Sequence, residues 1–459
     1  MSDITIAWNR FGLGARAGER PPPDLRGWLL DQLDRFDPRP APIAALPGTA
    51  ESVAGLTEFL SNRRRARQMG DEDPADKPND VQRQDLRGML LGSVTARGLV
   101  AVRTDAPFPE RLVHFWANHF TVSIAKRQTT ALVGPHEFEA IRPNIMGNFR
   151  HLLRAAVLHP AMLAYLDQSN STGPSSQLAQ RAGRRNRELG LNENLAREIM
   201  ELHTLGVNGG YSQEDVTEFA RAMTGWTMQG LPRARRAEPI GDGLAWSEFQ
   251  HEPGTRTVLG RSYAQAGPEQ SLAMLDAFAA HPSTARHVAT KLARHFAADD
   301  PPPEMVARLE RAFLDSDGDL PTIYRAMVDS PEAWDGSRPK FRTPWDWTIA
   351  SFRALGLDDF EPRLLHGTLR ELGQPCWAAT SPKGYDDIAA SWAAPDALIR
   401  RVEAAETLAK QAGDIDALAL AQALFPRALN DSTATAIRGA DNRQQAAALL
   451  LASPEMMRR

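Results

Sequence analysis

Along most of the chain apolar residues recur at i, i+3, i+4 and i+7, and Gly or Pro interrupts the pattern every 12 to 25 residues or so, the signature of amphipathic helices. The spacing predicts helices over 23–36, 50–67, 80–103, 108–120, 134–146, 160–166, 193–205 and 213–225. It continues with 268–280, 283–297, 303–314, 320–329, 344–355, 362–372, 395–411 and 442–451. Strand signals are scarce. The best is 256–259, inside an irregular Pro/Gly-rich passage over 230–260 that predicts at most a small β-hairpin. Two polar stretches, 62–80 and 169–190, are too rich in charge, Gly, Pro and Ser to bury, and read as exposed charged loops. The helical style is the same on both sides of each loop. The expectation is therefore an all-α fold, a single multi-helical domain over 1–459 with long irregular loops and no internal repeat.

Composition narrows the classes without naming one. With 459 residues, 42% hydrophobic and 24% charged, the chain is an ordinary globular one, which excludes disorder and a collagen-like repeat. The lone Cys376 excludes an internal disulfide and a cysteine-built zinc site. A net charge of −4 gives no overall attraction to nucleic acid or anionic lipid. No run approaches the roughly 18 apolar residues of a membrane span. The start, MSDITIAWNRFGLG, carries no readable signal peptide, so a cytoplasmic protein is expected.

Candidate chemistry concentrates in two helices. In 193–205, Leu191, Leu195, Ile199 and Leu202 form an apolar stripe, with Glu193, Arg197 and Thr204 opposite it. Asn194, Glu198 and Glu201 share one flank and His203 falls on the other. Glu198 lies nearest the stripe, and a half-buried carboxylate needs a cation, a donor or a proton. Arg197 fits either an i, i+4 ion pair with Glu193 or a ligand contact. In 108–120, Phe108, Leu112, Phe115 and Trp116 form the stripe and His119 projects into it, with His114 and Asn118 at its edge. His119 is either a satisfied core histidine or, facing Glu198, part of an N/O site suited to zinc, iron or manganese.

Weaker signals lie elsewhere. Ser212 and Asp215 give an imperfect capping box for the next helix. Asp315 to Asp319 resembles the start of a calcium loop, but Gly318 comes too early and Ala326 stands where a Glu is needed; Asp319 reads as an N-cap. Lys340 and Arg342 precede a helix capped by Thr343 and Pro344, where an anion could dock. His251 and Glu252 sit side by side in the irregular passage. The 374–385 loop cannot be helical and reads as the lid of a groove or the plug of a helical array, with Trp377 and Lys383 as ligand contacts; nothing local would activate Cys376. No Walker A, G-x-G-x-x-G or G-x-S-x-G element is present.

Six segments together carry a resemblance: HFWANHFTVS, IRPNIMGNFRHLLRAAVLHPAMLAYLD, NENLAREIMELHTLGVNGGYSQEDVTEFARAMTGWT, HEPGTRTVLG, HPSTARHVATKLARHF and LGQPCW. From about Trp8 onward the chain resembles the bacterial "domain of unknown function 1800" family. The resemblance implies no established activity. It implies frequent export, and a neighbouring-gene partner of the "domain of unknown function 1501" type, similar to alkaline phosphatases and sulfatases. Many members show a second histidine where this chain has Ala117. Two functions are expected from these readings. One is a metal-assisted hydrolase acting on an anionic substrate, with His119 and Glu198 on the metal, Glu198 and Glu201 as acid and base, and Asn194 orienting water. In that reading Arg197, His203, His251, Arg342 and Lys383 contact the ligand, and the basic 181–187 loop guides it in. The other is a non-enzymatic scaffold or maturation partner of the neighbouring protein.

Overall fold

A computed structural model describes residues 1–68, 78–234 and 236–459. Helices dominate it, and two small antiparallel sheets occupy the irregular passage. The first sheet joins β1 (Trp226–Met228), β2 (Glu238–Gly241) and β3 (Leu244–Trp246) in the order β1-β3-β2; the second is a hairpin of β4 (Arg256–Val258) and β5 (Arg261–Tyr263). More strand forms than the one hairpin expected, because Gly-rich turns let short segments pair locally. In the β4–β5 turn Leu259 and Gly260 both have positive φ, 52° and 70°, the geometry of the tightest hairpins. Leu259 is held there by its amide donating to Asp215 Oδ1 at 2.7 Å. The other carboxylate oxygen of Asp215 completes the capping box with Ser212, so one side chain ties the helix start to the hairpin.

Two large apolar cores meet through Trp28, Leu90 and Trp377, which pack against both. The first is built on the helices Pro107–His119, Phe149–Leu158, Gln213–Met223 and Pro282–Phe296; the second surrounds Pro344–Leu355. Every residue of Pro344–Leu355 is buried, so its two charges need internal partners. Arg353 donates to the carbonyls of Gly14, Ala101 and Val102. Asp346 meets Arg111 and Arg459. Arg10 likewise donates to the carbonyls of Ala333, Asp335 and Arg338. These buried guanidiniums link segments hundreds of residues apart, a use of arginine that the periodic pattern does not reveal.

Three departures from the expected elements matter for the site. The helices Phe149–Leu158, Ala417–Leu424 and Asp431–Arg438 were not anticipated. The expected 62–80 loop is helical where described, since one helix runs to Gln68 and the next starts at Pro78; 69–77 lie outside the described residues. The 169–190 loop contains a two-turn helix, Gln177–Gly183, started by the Ser176 side chain accepting from Ala179 N. Two expected α-helices, moreover, change winding part-way. Val133–Pro135 passes into a π-helical His136–Ile141, and Asn194–Glu198 into a π-helical Ile199–His203. An i→i+5 turn holds an extra residue, so every position after it rotates relative to the α register. Among the described residues no helix is long and apolar enough to cross a membrane.

Candidate active site

Between the two cores lies a cavity of about 490 Å³. The Pro107–His119 helix forms one wall with Arg111, His114, Phe115, Asn118 and His119, which share one face at i, i+3, i+4, i+7 and i+8. The Pro282–Phe296 helix supplies Lys291, Arg294 and His295. Trp345 and Asp346 come from the first turn of Pro344–Leu355, Arg97 from Pro78–Arg103, and the loop from Gln374 to Ile388 covers the remaining side.

Backbone hydrogen bonds fix the covering loop. Asn118 Nδ2 donates to Tyr385 O at 2.9 Å while Tyr385 N donates to Asn118 Oδ1 at 2.8 Å. Tyr385 Oη donates to Pro375 O, and Ile124 N to Trp377 O. The approach is close enough that a Cβ on Gly384, whose φ is +84°, would stand 2.5 Å from Asn118 O. Gly384→Ala is therefore expected to cost at least the ~1–2 kcal/mol of a left-handed non-glycine residue, and to free the loop. Limited proteolysis should then cut within 374–388; an uncut loop and unchanged stability would remove the clamp from the account.

Most charges lining the cavity are already matched. Arg97 Nε bonds both oxygens of Glu137 at 2.8 and 3.0 Å, and its guanidinium lies 4.0 Å from the Trp345 ring centre. Arg111 spans both oxygens of Asp346 at 3.1 Å. Lys383 pairs with Asp386 at 2.6 Å, and Asp299 with Lys340 at 2.7 Å. Asp387 accepts from Nδ1 of His295 at 2.6 Å and from Arg459 at 3.2 Å. That bond puts the His295 proton on Nδ1 and leaves Nε2 as an acceptor, toward which Arg111 Nη1 donates at 3.5 Å. Burial holds His295 down at about 4 against the pull of Asp387, while Asp387 stays ionised, lowered to about 2 chiefly by His295 and Lys340 against its own burial. His114 accepts from Trp345 Nε1, so its other nitrogen carries the proton facing Glu110 at 3.4 Å.

Two lining cations are left over. Neither Lys291 nor Arg294 is in an ion pair with a described carboxylate, and only Arg294 has a fixed contact, to Asp299 O. Burial and then Arg294 push Lys291 down to about 8.

The sequence-derived site residues distribute unevenly. His119, Lys383 and Trp377 line the cavity. His119 does not meet Glu198. Its Nε2 lies 3.1 Å from His203 O and its ring faces His203 and His287, at centroid distances of 5.9 and 6.1 Å. The π turn rotates His203 from the flank into the core, where both its ring nitrogens are buried without a partner. Glu198 and Glu201 remain half-buried and outside the cavity, with burial and then Glu201 raising the Glu198 carboxyl. Asn194 is exposed, and Arg197 pairs with Glu193 at 3.0 Å. Among the described residues no three His, Cys, Asp or Glu side chains gather as a metal ion would need.

Arg342 is corrected as well. It is buried outside the cavity, donating to Met456 O and Asn9 Oδ1, while Asp346 and the protein's own cations fill the helix start expected to hold an anion. His251 is buried against Trp246 with Nδ1 2.8 Å from Thr224 O, and Glu252 accepts from Ser175 N, so the pair anchors the neighbouring loop. Arg181, from the basic loop, stacks on Phe249 and does not line the cavity. Cys376 does line it, but burial raises its thiol to about 11, which keeps it protonated.

Sequence reading missed Lys291, Arg294, His295 and Asp387. A signal existed: His287, Lys291 and His295 repeat at i, i+4 and i+8 on one helix face. It stood inside a segment read only for its apolar stripe.

Residues 6–458 match the family model described as "Protein of unknown function (DUF1800)". The chain belongs to the DUF1800 family. No match was found among curated proteins or among solved structures. What the DUF1800 chain does must therefore be argued from its cavity.

Proposed function

We propose that this DUF1800 protein is an enzyme acting on a small organic anion held in the cavity. The reading is carried by the two unpaired cations, Lys291 and Arg294, in a wall where the other arginines and lysine are matched by carboxylates. Both are half-buried, and a partly desolvated cation without a counter-charge is costly, a cost that an anionic ligand offsets. Trp345, Trp377 and Phe115 offer apolar faces for the rest of the molecule. His295, oriented by Asp387 with Nε2 unprotonated, is the proton acceptor of the site. The anionic substrate inferred from the sequence is kept; the metal-assisted step is replaced by chemistry of the chain's own base.

Calorimetric titration with a set of carboxylates and phosphates, each beside its uncharged amide or alcohol, tests this. Anions should bind and their neutral counterparts should not. Arg294→Gln should weaken binding about tenfold, about 1.4 kcal/mol, the scale of one charge-assisted hydrogen bond. Equal binding of charged and uncharged members, or unchanged affinity in Arg294→Gln, would overturn the reading.

A further inference from the structure

We infer that Lys291 is a nucleophile that forms a Schiff base with the aldehyde or ketone group of an anion held in the cavity. The inference deepens the proposed function and rests on it: the anionic end of the ligand is held by Arg294, and Lys291 is given to the carbonyl.

Three observations converge. The first is the choice of residue. Only six of the 53 Lys plus Arg residues are lysines: Lys77, Lys126, Lys291, Lys340, Lys383 and Lys410. In a chain that uses arginine nearly everywhere, one of the two unpaired cations of the cavity wall is a lysine, which can give up its proton as arginine cannot.

The second is the surroundings. No hydrogen bond from a described residue reaches the Lys291 ammonium. Behind it stand His119, His203 and His287, three rings whose protonation Lys291 itself helps to suppress. His119 and His287 each commit one nitrogen to a carbonyl, of His203 and Leu202. Of the remaining charged groups, Arg294 and Lys383 disfavour the ammonium and only Asp387, already shared by His295, Lys340 and Arg459, favours it. A lysine meant only to hold an anion is poorly served by this arrangement. A lysine that must be a free amine for part of the time is well served, since desolvation and a neighbouring cation are the usual means of activating one. With the group lowered to about 8, roughly a tenth of it is free amine at neutral pH.

The third is a proton carrier on the same helix. Lys291 and His295 lie at i and i+4 of one helix and both line the cavity. The free-amine form of Lys291 is the attacking species, its proton passing to the unprotonated Nε2 of His295 across the cavity. The freed nitrogen pair then forms the C–N bond as the C=O π pair moves to oxygen, which takes the proton that the attacking nitrogen sheds. The carbinolamine hydroxyl leaves as water with the proton returned by His295, giving the protonated imine. The net change is loss of one water with the positive charge retained, and no oxidant or reductant is required.

The test uses the intact protein with glyoxylate, glycolaldehyde phosphate or uncharged glycolaldehyde, each followed by borohydride reduction and peptide mapping. One reduced adduct on Lys291 is expected with the carboxylate probe, the phosphate probe or both, and the arm that reacts identifies the anion. Uncharged glycolaldehyde should label Lys291 at least tenfold less. Lys291→Arg should keep the binding of acetate or inorganic phosphate seen by calorimetry while losing the adduct. No adduct on Lys291 with either anionic probe, or labelling spread evenly over the six lysines, overturns the proposal. If acetate or phosphate still binds while trapping fails, only the Schiff base falls; if neither binds, the anion site falls with it.

Discussion

Lowering the pH from neutrality is expected to unfold the protein cooperatively with a midpoint near about pH 5, well above the range where carboxylates ordinarily titrate. The cause is a set of buried histidines held neutral. Burial pushes His136, His287 and His295 down to about 4 and His203 to about 3, and lowers His119 and His159 far below their usual value. Their bonds agree with the neutral form. His159 Nδ1 accepts from Ala161 N as a helix cap, so protonating it removes that cap. His136 commits Nε2 to Ala156 O, and His203 has no partner that could receive a proton from it.

In the unfolded chain each of the six titrates near 6.5. The unfolded state therefore binds more protons than the folded one below that value. Their contribution is complete above about pH 6.5 and is lost progressively as the pH falls toward the folded values. Inside that window each histidine contributes about 1.4 kcal/mol per pH unit and the set roughly 8 kcal/mol, comparable to the whole stability of a typical domain. Glu110 and Asp387, both lowered to about 2, extend the loss at still lower pH. Circular dichroism against pH measures the midpoint, and His203→Leu should shift it downward. A midpoint below about pH 3.5 would mean that the histidines are not the controlling groups.

The second large effect is expected from Asp346→Asn. Asp346 sits in a fully buried helix and balances Arg111, at 3.1 Å through both oxygens, and Arg459, whose Nε is 3.1 Å away. Arg111 and Arg459 together hold the carboxyl far below the usual carboxylate range against its burial. Asparagine keeps the shape and removes the charge, leaving Arg111 buried without its carboxylate and Arg459 with Asp387 alone. Breaking a buried ion pair from one side costs about 3–5 kcal/mol, which urea denaturation would read as a lower midpoint at unchanged slope. Replacing both sides, as Asp346→Leu with Arg111→Met, should cost less than the sum of the two single changes, because no unbalanced charge remains between that pair. A loss below about 1 kcal/mol for Asp346→Asn would mean that water reaches the cluster.

Much of the local architecture was legible. The Ser212–Asp215 box, the Asp319 cap and the Thr343–Pro344 helix start all form as read, because caps depend on residues three or four apart. That 374–385 is a loop was legible for the same local reason: the Pro and Gly residues there do not continue a helix. The acidic helix was misread at one point with large consequences. A single π turn at Ile199–His203 leaves no mark in the apolar period, yet it moves His203 from a flank to the core, where its carbonyl meets His119.

By itself, then, the sequence determined that the chain is helical, where most helices begin, and that Cys376 could build no thiolate metal site. Those properties follow from spacing and composition, which act over a few residues. Which charges are buried, which are paired and which are left for a ligand was decided by the tertiary structure alone. Arg97, Arg111, Lys291, Asp346 and Asp387 come from segments up to 290 positions apart, and their partners exist only once two cores close around one cavity. Net charge sums all such groups to −4 and conceals the difference between an arginine matched by a carboxylate and a lysine that has none.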